Sequence, residues 1–282
     1  MKLHILTPQP RQGITWIQQS LSAFAHQAWA FSSLLIIFFL VFSFISALPW
    51  VGPAIALMGM PLLTLVFMIN TERTVSHKAF EWSAIYTPLS AKAPAQKQLL
   101  ILFIAYAGVM ALGLQMCDWV DNDRFAQLLA LMSNAQPDAK TKAELEQLLS
   151  DPQLSYGLLL RCGLIGLIAV PFWYAPALVY WHQQSAAQSL FSSAIACWRT
   201  RKAMMVNMLA WCGGILVLSL IIGTLLPLLG ITGMVSWLAL PVGLVLTAIF
   251  YVSLYFMYKD TFAVAELPEN NGDRPHFPPV ET

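Results

Sequence analysis

Between Gln27 and Thr71 the chain carries no formally charged residue. That run is longer than one membrane crossing needs, since a hydrocarbon core of ~30 Å takes about 20 helical residues. Inside lipid every backbone amide and carbonyl must be satisfied within the protein, which leaves α-helices and closed barrels. The run is continuously apolar rather than alternating, so it reads as helix and not as barrel strands. Leu48-Pro49-Trp50-Val51-Gly52-Pro53 interrupts it. Helices over 28–48 and 53–70 joined by a tight turn are predicted.

The same criterion places four more spans. Lys97 and Asp118 bracket one at 98–117. Another covers 154–181 and contains a single charge, Arg161. The uncharged stretch between Lys202 and Lys259 is divided by Leu226-Pro227-Leu228-Leu229-Gly230, which predicts helices at 203–226 and 234–257. The expected fold is an all-α, polytopic bundle of six transmembrane helices, a single domain over 1–262. Composition agrees: 58% of residues are hydrophobic, 10% are charged, and the mean hydropathy is +0.65. A soluble domain carries roughly 25% charged residues and has too little interior for this much apolar side chain. The first 25 residues do not resemble a secretory signal, because Lys2, His4, Arg11 and several glutamines are scattered through them.

Basic residues are sorted by position. With the N-terminus, the 71–97 and 182–202 loops and the C-terminal tail on one side, that side holds 11 of the 15 Lys and Arg. The opposite 118–153 loop holds Arg124, Lys140 and Lys142 among seven acids. Lys and Arg gather on the cytoplasmic side, so both termini are expected in the cytoplasm and the 118–153 loop outside.

Within that outer loop, Phe125, Leu128, Leu129 and Met132, and again Leu145, Leu148 and Leu149, recur at helical spacing. Two short amphipathic helices are expected, the second capped by Thr141 with Glu144 and stopped by Asp151-Pro152. On the cytoplasmic side Trp82, Ile85, Tyr86 and Leu89 mark one interfacial helix, and Leu190, Phe191, Ala194, Ile195 and Trp198 a second. Ser83-Ala84-Ile85 and Ser193-Ala194-Ile195 sit in comparable places in two three-helix halves, which both coincidence and descent from a repeat would explain. The segment 263–282 reads as a disordered cytoplasmic tail.

Several local patterns together resemble a known group of proteins. Pro10-Arg11-Gln12-Gly13-Ile14-Thr15-Trp16-Ile17 precedes the first span, and Trp173-Tyr174-Ala175-Pro176-Ala177-Leu178-Val179 ends the fourth. Arg199-Thr200-Arg201-Lys202-Ala203 leads into the fifth, and Tyr255-Phe256-Met257-Tyr258-Lys259-Asp260-Thr261-Phe262 closes the sixth. Up to about Phe262 the chain resembles a family of uncharacterised proteobacterial inner-membrane proteins. The resemblance implies a multi-pass location in the bacterial inner membrane and carries no activity or active-site residues with it.

Catalytic signatures are missing from the sequence: no His-Glu-x-x-His, no Gly-Lys-Ser/Thr phosphate loop, no dinucleotide glycine motif and no Gly-x-Ser-x-Gly. No catalytic, cofactor-binding or metal-binding residue is therefore assigned, and no cofactor is expected. His26, His77 and His182 all fall near the cytoplasmic boundary but have no short ligand spacing. Cys117 and Cys162 share the outer half and could in principle be bridged. Arg161 stands apart, because charge inside a span is expensive and commonly functional. It either snorkels outward or pairs with Asp118 or Asp151, or it serves an anion or transport pathway. Gly108, Gly113, Gly163, Gly166, Gly213, Gly214 and Gly223 read as sites of close helix approach. The leading functional reading is a partner-binding or assembly factor for an envelope complex, and transport or lipid handling is the alternative. A membrane enzyme comes third. Membrane lipids and an envelope membrane protein are the implied partners, and a net charge of +1 gives no sign of nucleic acid.

Overall fold

The computed structural model describes residues 3–49, 51–86, 93–132, 139–228, 230 and 233–264. A short strand β1 (Leu3–Ile5) leads into α1 (Gln12–His26) and then the first span, α2 (Ala28–Ser46). The spans continue with α3 (Gly52–Val75) and α4 (Ala93–Asp121). Two short helices follow, α5 (Arg124–Met132) and α6 (Ala139–Leu149). The chain returns through α7 (Pro152–Phe172) and α8 (Ala175–His182), then crosses twice more as α9 (Ala186–Leu228) and α10 (Gly233–Thr261). β2 (Phe262–Val264) pairs antiparallel with β1, Leu3 opposite Val264. Six stretches are long and apolar enough to cross a membrane, α7 and α8 together forming the fourth.

The β1–β2 pair draws both ends of the described chain to one end of the bundle, here the terminal end. α5 and α6 cover the other, the loop end. The pairing also brings Ala263 and Val264 into a strand, where a disordered tail was expected from 263 onward. Residues 265–282 lie outside the described residues.

Several elements differ from expectation. The helix that carries the fifth span begins at Ala186, ahead of the expected span at 203, as one 43-residue helix that takes in the second interfacial segment. No Gly or Pro falls between Ala186 and Trp211, and Arg and Lys are good helix formers, so a charge cluster ends a hydropathy window without ending a helix. The first interfacial segment is a 3-10 turn, Trp82–Tyr86, and Leu89 lies outside the described residues. Thr141 falls inside α6, which begins at Ala139, so it is not the cap. α6 ends at Leu149, just ahead of Asp151-Pro152 as expected, and the same dipeptide also starts the next helix. The Asp151 carboxylate accepts from the Gln153 amide at 2.8 Å, with proline in the first turn of α7 where its missing N–H is harmless.

The fourth span is broken. Pro171 and Pro176 lie five residues apart, and the helix stops at Phe172 and restarts at Ala175. A break inside a membrane frees backbone groups that need partners. Ser193 of α9 supplies them: its hydroxyl accepts from the Tyr174 amide at 3.0 Å and donates to the Val170 carbonyl at 3.4 Å.

Packing is concentrated at the terminal end. The main core joins Trp16 of α1, Phe31 and Leu35 of α2, Leu63, Phe67 and Met68 of α3, Leu99, Leu102 and Phe103 of α4, Tyr174, Ala175 and Leu178 of the break and α8, and Ala248, Val252 and Met257 of α10. α1 is tied down from two sides. Gln12 and the Trp16 indole donate to the Asp260 carboxylate at 2.7 and 2.8 Å, and Asn207 donates to the Gly13 carbonyl at 2.9 Å. Toward the loop end most helices separate, but α2 stays against α3, where a side chain at Gly59 would run into the Phe42 ring. α4 and α7 stay together along a seam in which Leu154, Gly157 and Arg161 are buried and Leu164 meets Gly113. Along α9, no residue from Met208 to Leu228 is buried, and on α10 none is from Trp237 to Thr247.

This divergence overturns most of the glycine expectation. A side chain at Gly108, Gly163, Gly166, Gly213, Gly214 or Gly223 would meet nothing within 4 Å, and only Gly113 packs closely, against Leu164. A close approach of backbone to backbone between helices is instead at Gly13, where an added Cβ would run into the Ala203 carbonyl oxygen and sit 2.7 Å from the Asn207 nitrogen. Gly13→Leu should therefore lower the thermal unfolding temperature of purified protein clearly, by an overpacking penalty of about 1–3 kcal/mol. Gly166→Leu should leave it unchanged, and an equal loss in both variants would contradict the separation of the helices.

Candidate functional site: a buried arginine between two aspartates

α4 continues one turn past the expected end of the third span and carries Asp118 and Asp121 three residues apart, on one helical face. Arg161 reaches both from α7. Its Nη2 donates to Asp118 Oδ1 at 2.6 Å and to Asp121 Oδ2 at 2.8 Å. The guanidinium lies 4.5 Å from the centroid of the Phe125 ring, a cation–π contact that closes the site from above. Gly157, one turn before Arg161, makes this approach possible, because a side chain there would collide with Asp121.

Arg161 is only 6% exposed and Asp121 is fully buried. The arginine does not snorkel to water. One guanidinium nitrogen, Nη2, serves both carboxylates, and the guanidinium carbon lies over the Phe125 ring, a contact suited to a flat delocalised cation. Of the two acids weighed for it, Asp118 is a partner. Asp151 instead faces Arg124 at 3.2 Å. Asp121 went unnoticed because the span was ended at 117, although its i, i+3 relation to Asp118 was available once α4 was extended. Asp121 Oδ1 and Arg161 Nε have no hydrogen-bond partner among the described residues.

Above the triad, α5 and α6 form a small roof with its own core of Leu128, Leu148 and Leu154. An open hollow of about 440 Å³ between α5 and α6 is lined by Arg124, Gln127, Glu144, Gln147 and Asp151, and Arg161 is not on its wall. Leu129, Met132 and Leu149 face outward from the roof, each more than half exposed. The triad ties α4 to α7, with Arg161 and Asp121 buried and Asp118 partly exposed.

The remaining candidates separate in space. His26 and His77 line one shallow hollow between α1 and α3, while His182 packs near Tyr258. Among the described residues no three His, Cys, Asp or Glu side chains gather as a metal site would require. Cys117 is buried and Cys162 exposed, and both are free thiols. At the terminal end, buried Asn70 accepts from the Glu81 amide at 2.7 Å and donates to the Glu81 carbonyl at 3.3 Å. Together with the Arg73–Glu81 ion pair at 2.8 Å it folds the loop after α3 back onto the bundle.

No protein-family model matches the chain. No solved structure matches it either. It is similar to a protein of Burkholderia thailandensis named a probable inner membrane protein, at 25% identity over 269 residues, which span 94% of this chain and 96% of that one. Six membrane-crossing stretches and a similarity running nearly end to end place the chain among the multi-pass proteins of the bacterial inner membrane.

Proposed function

We propose that this inner-membrane protein is a partner-binding factor for an envelope complex, which docks another membrane-embedded protein along its fifth span. The supporting observation is α9 from Met208 to Leu228, about 30 Å of helix without one buried residue. Large aliphatic side chains are content in lipid, but this stretch also carries Gly213, Gly214 and Gly223 with open space around each. Ser219 and Gly223, four apart, form the small-x-x-x-small spacing through which membrane helices approach closely. The outward apolar face of the roof, Leu129 with Met132, offers the same partner a second contact outside the bilayer. Arg161, paired with two carboxylates and 6% exposed, is read as holding α4 to α7 and not as part of a transport path.

A photocrosslinking side chain at Leu216 or Leu220, both well exposed, should give a discrete protein adduct in intact cells. The same group at Leu159 on α7, also exposed, should give none. An adduct of twice the chain's mass would identify the partner as a second copy. Lipid adducts alone from all three positions would remove the proposal.

A further inference from the structure

A cavity of about 190 Å³ lies where α3, α4, α7 and α10 meet. Pro61 and Thr64, Tyr106, Phe172 and Trp173, and Tyr251 form most of its wall, and no charged side chain lines it. Measured along the helices from the terminal end, Thr64, Tyr106 and Tyr251 lie about 15–20 Å in, near the middle of a hydrocarbon core of ~30 Å. The hollow has a covalent origin. Pro61 interrupts the hydrogen-bond ladder of α3, and the break after Phe172 turns α7 aside at the same level. Above it the helices diverge, and Gly108, Gly166 and Gly243 have open space beside them, so the cavity communicates with lipid.

Two features narrow the ligand. The walls are aromatic and fixed by ring contacts, Tyr106 on Phe172 at 5.0 Å and Tyr251 on Phe67 at 5.2 Å, which favours a flat occupant. Tyr106 and Tyr251 also bring two phenols to the cavity, and neither donates a hydrogen bond among the described residues. An unpaired donor in hydrocarbon is unfavourable, and buried tyrosine hydroxyls usually find an acceptor. Phospholipid ester carbonyls stay at the headgroup boundary, far from this depth. An acceptor at mid-membrane must come from a molecule that carries carbonyl oxygens into the hydrocarbon. We propose that the cavity binds the head ring of an isoprenoid quinone, with Tyr106 and Tyr251 donating to its carbonyl oxygens and the tail leaving between the separated helices. This site is distinct from the α9 surface and does not depend on a protein partner there.

The test uses the full chain in nanodiscs of phosphatidylethanolamine and phosphatidylglycerol, titrated with decylubiquinone while tryptophan fluorescence is followed. Trp173, on the cavity wall, should be quenched saturably, and Trp173→Phe should remove most of that amplitude. The double variant Tyr106→Phe with Tyr251→Phe keeps both rings and should weaken binding roughly tenfold, as expected for the loss of two modest hydrogen bonds. Ala169→Phe fills the cavity and should abolish saturation. Should that variant fail to fold, the tyrosine pair decides the matter alone. Quenching that rises linearly without saturation would mean partition into the bilayer and would overturn the proposal. So would affinity unchanged in the double variant, or displacement by decylbenzene as effective as by decylubiquinone, either of which would mark a site for a plain hydrocarbon chain.

Discussion

Arg161→Ala is expected to lower the unfolding free energy by about 3–5 kcal/mol, the range seen when one member of a buried ion pair is removed. The loss is large because of what stays behind. Asp121 is fully buried, and without the guanidinium its carboxylate keeps no counter-charge. Asp118 is partly exposed and can turn to water, so Asp118→Ala should be much milder. Arg161→Lys should recover only part of the loss, since the lysine nitrogen ends one bond short of Nη2, which reaches both acids at 2.6 and 2.8 Å, and a compact ammonium is more strongly hydrated than a guanidinium. In double-mutant cycles read by thermal unfolding, Arg161 and Asp121 should be coupled by about 1–3 kcal/mol, while Arg161 and Asp151 should be additive. Coupling of Arg161 to Asp151, with additivity toward Asp121, would show that the clamp is built differently.

Trp16→Ala should be comparably damaging, at about 3–5 kcal/mol for a fully buried aromatic. The indole fills the junction of α1 with α9 and α10 and donates to Asp260, the residue just before the end of α10. Removing it opens a cavity and leaves Asp260 with Gln12 alone. Trp16→Phe retains most of the packing, so its smaller deficit should isolate the hydrogen bond. Trp29, thirteen positions later and 88% exposed, is the control. Trp29→Ala should leave the unfolding temperature in detergent unchanged. Equal sensitivity of the two tryptophans would contradict the anchoring of α1.

The contrast between these two residues illustrates how far the sequence could be read. Spans were legible because lipid imposes a length and forbids charge, so charge-free runs divided by Pro and Gly reveal six crossings. The roof helices were legible through apolar periodicity. Trp16 was less obvious, yet Gly13, Trp16, Ser20, Ala23 and Phe24 trace one buried helical stripe ahead of the first span. That stripe is legible in the sequence, although scattered polar residues such as Gln12, Gln18 and Gln19 interrupt its apolar pattern. Asp121 was lost to a boundary drawn where charge begins, although a helix can carry charge one turn beyond the hydrocarbon. The break at Trp173-Tyr174 had a signal in the spacing of Pro171 and Pro176, the second of which sits in the first turn of a new helix. The glycines carried no such signal. A small residue permits close approach, but which helices converge depends on crossing angles set elsewhere, here by the terminal-end core.

The bundle is closed where the termini meet and open at the loop end outside the α2–α3 and α4–α7 pairs. Spin labels attached to cysteines at Gly113, Gly166 and Gly214, in an otherwise cysteine-free protein reconstituted in bilayers, test this most directly. The labels at Gly166 and Gly214 should be mobile and accessible to oxygen, as befits positions with nothing within 4 Å. The label at Gly113, pressed against Leu164, should be immobilised. Immobile, oxygen-shielded labels at Gly166 and Gly214 in a single isolated chain would contradict the open end.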